Sequence, residues 1–236
     1  MHLRHHHLLD ERVLVTPDTF RVGLVRRTLD IAIAGTLLVV TLPLLAVAAL
    51  LVRLSDGGPA FFRQVRVGEG SRPFHLLKLR SMRVSKDGPQ VTAVGDDRIT
   101  AVGRILRRTS MDELPQLWHV VRGQMTLVGP RPESVELAEA YPASCRFILD
   151  ARPGLTGPAQ LTYREGSAVP PDGWGVEQWY LTRLVPLRVD ADLDYLTDPS
   201  VRRTFAYLWR TALFVLGRPE GHATEVVQAR ADLRTP

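Results

Sequence analysis

The pattern of apolar and polar positions divides the chain into one uninterrupted apolar run and a longer stretch of short, mixed elements. Ile31 to Val52 is twenty-two residues without a charge. As a helix rising ~1.5 Å per residue it reaches about 33 Å, enough to cross a hydrocarbon core. It begins too far into the chain, and runs too long, for a cleaved signal peptide. Pro43 removes one backbone donor in mid-run and crowds the carbonyl of Val39, so the pattern predicts a kink or break at Leu42-Pro43. Arg26 and Arg27 precede the run, and Arg53, Arg63 and Arg66 follow it. Charge on both flanks leaves the positive-inside rule without a preferred orientation. A helix that enters one leaflet and returns fits that symmetry, while on hydropathy alone a kinked transmembrane helix is the simpler reading.

Beyond the run the elements are shorter. Phe74 to Arg80 partly alternates and predicts a strand, with Gly68 to Pro73 as a turn before it and Ser85 to Asp97 as a loop after it. Ile99 to Arg108 predicts an amphipathic helix, its apolar positions at Ile99, Val102, Ile105 and Leu106. Ser110 and Glu113 then have the spacing of a capping box, which places Asp112 and Glu113 near a helix N-terminus with Pro115 complicating the register. There the dipole and free amides favour an ionised Asp112. Two Pro/Gly clusters, Val128 to Pro132 and Arg152 to Pro158, each hold an arginine between residues that restrict the backbone. Phe205 to Leu216 is an apolar, aromatic stripe that suits either a bilayer interface or a core helix.

Composition narrows the class. The 236 residues, 45% hydrophobic and 23% charged, can bury one sizeable core and are neither disordered nor fibrous. The single cysteine, Cys145, excludes a disulfide framework and a Cys-rich zinc site and is read as a buried structural thiol. A net charge of +5 suits an anionic partner: nucleic acid, phospholipid or a phosphorylated substrate. Lys78 and Lys86 are the only lysines, so the basic surface is almost all guanidinium, and the stretch from Pro59 to Arg83 is dense in arginine. The histidines at positions 2 and 5 to 7 read as a solvated tail. Phosphate loops of the GxxxxGK[ST] or GxGxxG type, the GxSxG elbow and HExxH do not occur.

Asp112 and Glu113 carry the candidate chemistry. Adjacent on a helix they point about 100° apart, poorly placed to share a proton but well placed to divide roles around a metal-bound phosphate. A carboxylate can attack phosphorus, oxygen ligands and a diphosphate suit Mg²⁺, and arginines offset the phosphate charge that repels the attacking group. Such pairs also cap helix starts, so capping and catalysis both remain open from the residues alone.

The motifs in order are Arg27-Thr28-Leu29-Asp30 before the apolar run, Phe62 to Gly68, Phe74 to Met82, Ser110 to Leu117, Gly129-Pro130-Arg131-Pro132 and Arg152 to Gly157. Together they resemble the bacterial sugar transferases, the monotopic polyprenyl-phosphate phosphoglycosyl transferases of the small type, from about Val25 to Gly166. The resemblance implies transfer of a sugar 1-phosphate from a UDP-sugar to undecaprenyl phosphate, giving undecaprenyl-diphosphate-sugar and UMP in the first membrane step of surface glycan synthesis. It implies Asp112 as nucleophile through a glycosyl-phosphoryl aspartate. Glu113 is implied, with Asp112, in holding Mg²⁺, and Lys78, Arg107, Arg131 and Arg164 as phosphate-binding residues. It implies a mixed, mainly helical α/β fold on the cytoplasmic face of the bacterial inner membrane, in contact with inner-leaflet phospholipid and not with nucleic acid. The expected organisation is a tail over 1–24, a re-entrant helix over 25–54 broken at Pro43, a catalytic domain over 55–218 with interfacial amphipathic helices, and a tail over 219–236. This chain departs from the family pattern at Pro158, where Trp is frequent, at Gln124, where Asp is usual, and at His119, where Asn is common. A rival reading is a non-enzymatic basic protein tethered to a membrane and binding lipid or nucleic acid. It accounts for the charge but not for an Asp-Glu pair set between arginine-bearing loops.

Overall fold

Apolar, helix-favouring residues on both sides of Pro43 extend one helix, α1 (Leu24–Asp56), through the proline without interruption. The computed structural model describes residues 20, 22–83, 97–163 and 173–217. Of the kink or break expected at Leu42-Pro43, no break in the helix is present. The proline deprives the Val39 carbonyl of its donor, but the loss of one hydrogen bond does not halt a helix of 33 residues packed on both sides of it. Thr41 in the turn before it donates its hydroxyl to Leu37 O at 2.7 Å. Gly57, at φ 73° where a side chain would be strained, returns its N–H to Arg53 O and ends the helix. One stripe of α1 is buried, through Arg26, Asp30, Ala34, Leu45, Ala48 and Val52. The opposite face leaves Val39, Val40, Leu42, Val47 and Leu50 exposed.

The chain continues as β1 (Phe61–Val67) and β2 (Pro73–Leu79), an antiparallel hairpin that pairs Phe62 with Lys78 and Arg63 with Leu77. The predicted strand and turn are both present, the turn containing a short 3-10 segment, Glu69–Ser71. Next come α2 (Ala101–Arg108), a 3-10 segment Met111–Gln116, α3 (Leu117–Arg122) and β3 (Thr126–Val128). They are followed by α4 (Val135–Glu139), the 3-10 segment Ala143–Asp150, β4 (Gly154–Thr156) and α5 (Pro158–Thr162). The chain closes with α6 (Val176–Trp179), α7 (Val185–Thr197) and α8 (Val201–Val215), with one π turn between α6 and α7. The mixed, mainly helical class agrees with expectation. The loop expected over 85–97, all but its last residue, lies outside the described residues. So do Arg164, the N-terminal histidines and the C-terminal tail.

The two Pro/Gly clusters lie side by side. β3 and β4 pair in parallel, and a Cβ on Gly154 would meet Gly129 N at 2.1 Å, so glycine is required for that approach. The main core gathers around β3, α3, α5 and α7, with Leu127, Val128, Val120, Tyr163, Val185 and Tyr195 essentially closed to solvent. Cys145 is buried within it. α8 is divided: Tyr207 and Leu208 pack on this core, while Phe205 and Trp209, the latter 67% exposed, face outward.

Both ends of α1 are tied to the rest of the protein. At its start Arg26 donates to Val128 O and to Thr126 Oγ1 at 3.2 Å and stacks on the Tyr195 ring, while Arg27 caps Val120 O and Val121 O. The buried Asp30 accepts from the Thr126 hydroxyl at 2.5 Å and from Leu127 N at 3.4 Å. At its end Asp56 forms an ion pair with Arg80, just beyond β2.

Removing one member of such a buried polar set leaves a charge without its counterpart. Asp30→Ala should cost about 3 kcal/mol. This would appear as a fall in melting temperature on the order of 10 °C in detergent. Asp30→Asn, which still offers Thr126 an acceptor, should lose less than half as much.

Candidate active site

Asp112 and Glu113 stand in the 3-10 segment Met111–Gln116, entered through Ser110 in the left-handed region at φ 55°. That backbone turns the Ser110 hydroxyl out of capping position, and its carbonyl instead accepts from Glu113 N at 3.2 Å. The predicted capping box is thus absent, because an αL residue cannot present its side chain to the following amides as an extended N-cap residue does.

Asp112 is buried, only 7% exposed. Burial, and secondly the neighbouring charge of Glu113, raise its pKa to about 6 against the pull of Lys78, Arg107 and Arg131. The expectation that the helix start would favour the ionised form is corrected. A six-residue 3-10 segment offers little dipole, and desolvation outweighs it. Above pH 6 the carboxylate is nonetheless ionised and faces three cations from three separate elements.

Each cation has its own support. Lys78 comes from β2, directly across the ladder from Phe62. Arg107 lies in the last turn of α2 and donates from Nη1 to Met82 Sδ at 3.4 Å. α2 can approach β2's exit because residue 103 is glycine: a Cβ there would meet Ser81 O at 1.9 Å. Arg131, between two prolines, reaches back to Glu113 with Nη1 to Oε1 at 3.2 Å. The structure therefore brings Lys78, Arg107, Arg131, Asp112 and Glu113 together, while Arg164 lies outside the described residues. The arginine of the second cluster is used elsewhere: Arg152 pairs with Glu69 at 2.8 Å.

Sequence reasoning missed the anchor of the Arg131 loop. Glu133, buried one residue past Pro132, accepts from Tyr141 Oη at 3.1 Å, from the Tyr180 hydroxyl and from Ser134 N. It also pairs with Arg66 of β1 at 3.4 Å, and Arg188 of α7 supports Tyr180 at 2.7 Å. An acid directly after Arg-Pro is the only local hint, since its partners come from distant segments.

The site rests on α1. A second apolar cluster joins Leu45, Ala48 and Val52 of α1 to Leu79 and Leu106, with Met111 and Leu114 packed against it. Leu79 follows Lys78, Leu106 precedes Arg107, Met111 precedes Asp112 and Leu114 follows Glu113. Four of the five site residues thus have a chain neighbour buried against the later half of the apolar helix. Among the described residues no group of three or more His, Cys, Asp or Glu forms a closed metal cage. Two adjacent carboxylates beside an open, cationic surface still fit a Mg²⁺ ion, which keeps several waters and shares its shell with substrate phosphates.

A family profile described as bacterial sugar transferase matches residues 21–218. The chain is 45% identical over 197 residues to the UDP-glucose:undecaprenyl-phosphate glucose-1-phosphate transferase of Caulobacter vibrioides, covering 80% of this chain and 69% of that protein. It is 39% identical over 183 residues to the Escherichia coli protein of the same name, covering 75% of this chain but 37% of the relative. It is 37% identical over 144 residues to the UDP-N-acetylgalactosamine-undecaprenyl-phosphate N-acetylgalactosaminephosphotransferase of Aeromonas hydrophila, covering 59% and 34%. The chain therefore spans only about a third of the length of the latter two.

The raised pKa of Asp112 fixes the sign of a stability effect. A carboxyl that ionises less readily folded than unfolded gives up stability as pH rises from about 4 to about 6, and the cost is complete above that window. In a chelator, Asp112→Asn should therefore be about 3 kcal/mol more stable than the parent at pH 8 and nearly equal to it at about pH 3. Melting curves at the two pH values measure the difference, and equal stability at pH 8 would contradict the burial argument.

Proposed function

We propose that this chain, which belongs to the bacterial sugar transferases, moves a sugar 1-phosphate from a UDP-sugar to undecaprenyl phosphate through a covalent intermediate on Asp112. The observation that carries the reading is a buried carboxylate, poised to ionise near pH 6, facing Lys78, Arg107 and Arg131. Three cations against two carboxylates leave a net positive site that attracts a diphosphate and screens it from the attacking anion. An Asp112 oxygen forms a bond to the sugar-linked phosphorus, the phosphoanhydride bond to that phosphorus breaks, and UMP departs with the electron pair. A phosphate oxygen of the acceptor then attacks the same phosphorus, frees Asp112 and leaves undecaprenyl-diphosphate-sugar. Arg131, held by its two prolines and by Glu113, offers a fixed fork to the phosphoryl oxygens. Asp112 and Glu113 would hold a Mg²⁺ ion, which when bound supplies further neutralisation of the diphosphate charge. The relatives' names favour UDP-glucose as the first donor to try and UDP-N-acetylgalactosamine as the second.

The two ties of α1 support a same-side arrangement in the membrane. Arg26 and Asp30 at its start meet Thr126, and Asp56 at its end meets Arg80 of the same polar domain, which favours both ends of the helix lying on one side of a bilayer. Both ends on the cytoplasmic side, with the exposed apolar face of α1 in the inner leaflet, satisfies both ties. The outward Phe205 and Trp209 of α8 would meet the same leaflet. Lys78, Arg107 and Asp112, each one residue from the α1 contact, then sit where a lipid-borne phosphate arrives. This is a monotopic enzyme acting at the entry to surface glycan synthesis.

The test of the reaction is UMP release by detergent-solubilised protein given undecaprenyl phosphate, Mg²⁺ and a panel of UDP-sugars, beside Asp112→Asn. Release from a preferred sugar that falls at least 10³-fold in the variant is expected, on the scale of losing an essential nucleophile. Release unaffected by the substitution would refute Asp112 as the attacking group. For topology, single cysteines placed on each side of Pro43 in a Cys145→Ser background should label only from the cytoplasmic side. Labelling of the two ends from opposite sides would establish a spanning helix instead.

A further inference from the structure

His119 and Gln124 touch each other beneath the site. His119 is buried on α3, three residues past the segment that carries Asp112. Its Nε2 lies 3.0 Å from the backbone N of Leu77, the residue next to Lys78, and its Nδ1 lies 2.8 Å from Gln124 Oε1. A backbone N–H can only donate, so Nε2 must be bare. The ring is then neutral, with its proton on Nδ1 donated to the Gln124 carbonyl. Gln124 is kept in reach because its own N–H, like that of Met125, returns to His119 O at 3.0 and 3.1 Å. The edge of Phe74 packs against the ring at 5.5 Å.

We propose that His119 and Gln124 are a matched neutral pair whose role is to position Lys78 against Asp112. Leu77 turns its N–H away from β1 and toward α3, so this one hydrogen bond joins the strand carrying the cation to the helix that continues from the nucleophile's segment. His119 and Gln124 touch no reacting atom and act through Leu77. The pair works only while the ring is neutral, since a second ring proton would set N–H against N–H. Burial holds the ring below the ordinary histidine pKa, the positive charge of Arg122 acts the same way, and the Gln124 bond acts against them. A neutral amide accepting from Nδ1 draws a proton onto the ring less strongly than a carboxylate would. A carboxylate at 124 would favour the imidazolium and cancel the acceptor that Leu77 needs.

The inference rests on the transfer reaction above, so its test has readouts with and without turnover. In ¹⁵N-histidine-labelled, detergent-solubilised protein, His119 should show a protonated Nδ1 and a bare Nε2. The Leu77 amide should exchange with solvent at least tenfold faster in His119→Ala. In the assay, His119→Ala and Gln124→Asp should each lower kcat for UMP release about tenfold, with donor KM changed by less than threefold, the scale expected when a site group is displaced by a fraction of an ångström to an ångström. His119→Gln, whose carbonyl reaches the place of Nε2 and cannot become cationic, should recover most of the loss. It should also make the chain tolerant of Gln124→Asp in the double variant. A protonated Nε2, unchanged Leu77 exchange, or a Gln124→Asp defect that persists with Gln at 119 would each overturn the proposal. Silence of the parent protein toward every donor would count against the reaction, while the tautomer and exchange measurements would still decide the pair.

Discussion

The structure depends on an apolar helix being held at both ends by one polar domain. Arg26, Arg27 and Asp30 bind the backbone and hydroxyl groups of β3 and α3 at one end, and Asp56 meets Arg80 at the other. Charges in such places are costly unless matched, and here each is matched by a group from the core. The helix is therefore part of the domain and not a tether attached to it. Because Leu45, Ala48 and Val52 form one cluster with Leu79 and Leu106, the depth of α1 also sets the height of Lys78 and Arg107. An enzyme that must meet a water-soluble nucleotide sugar and a lipid-borne phosphate at one phosphorus has use for that coupling.

The second tension is electrostatic. A buried carboxylate beside cations is pulled two ways, desolvation favouring its neutral form and neighbouring positive charge its ionised one, and Asp112 sits between them. Burial and Glu113 push its proton affinity up; Lys78, Arg107 and Arg131 pull it down; the balance falls near 6. The cations that favour the ionised form of Asp112 are also of the kind that hold phosphate groups. The pairing of Arg131 with Glu113 keeps one guanidinium in place before any phosphate comes.

Much of this could be read from residues alone, and the failures have local causes. The apolar run, the β2 strand and α2 were legible because each is a property of a few consecutive positions, whereas Lys78, Arg107 and Arg131 were singled out through the family resemblance. At Pro43 the helix runs on unbroken, since packing along the whole stripe outweighs a lost hydrogen bond and a crowded carbonyl. The capping box failed on one backbone angle, that of Ser110, which no spacing rule reports. The ionisation of Asp112 was misjudged because helix-end arguments count dipoles, whereas burial depends on α1, β2 and α2 closing over the segment. Glu133 and its tyrosines escaped notice for the same reason: the partners come from α7 and the stretches before it, far away in sequence.

One residue type was more informative than its count suggests. In a chain whose cations are almost all arginine, the site holds one of only two lysines. An ammonium is a compact point charge on a flexible stem, while a guanidinium is a planar fork suited to holding one geometry. Arg131, wedged between prolines, is paired to Glu113, and Lys78 stands on a hairpin strand that α3 secures through its neighbour. A point charge on a long stem is placed only as well as its backbone origin, and the backbone beside Lys78 is held to α3 by the hydrogen bond from Leu77 N to His119.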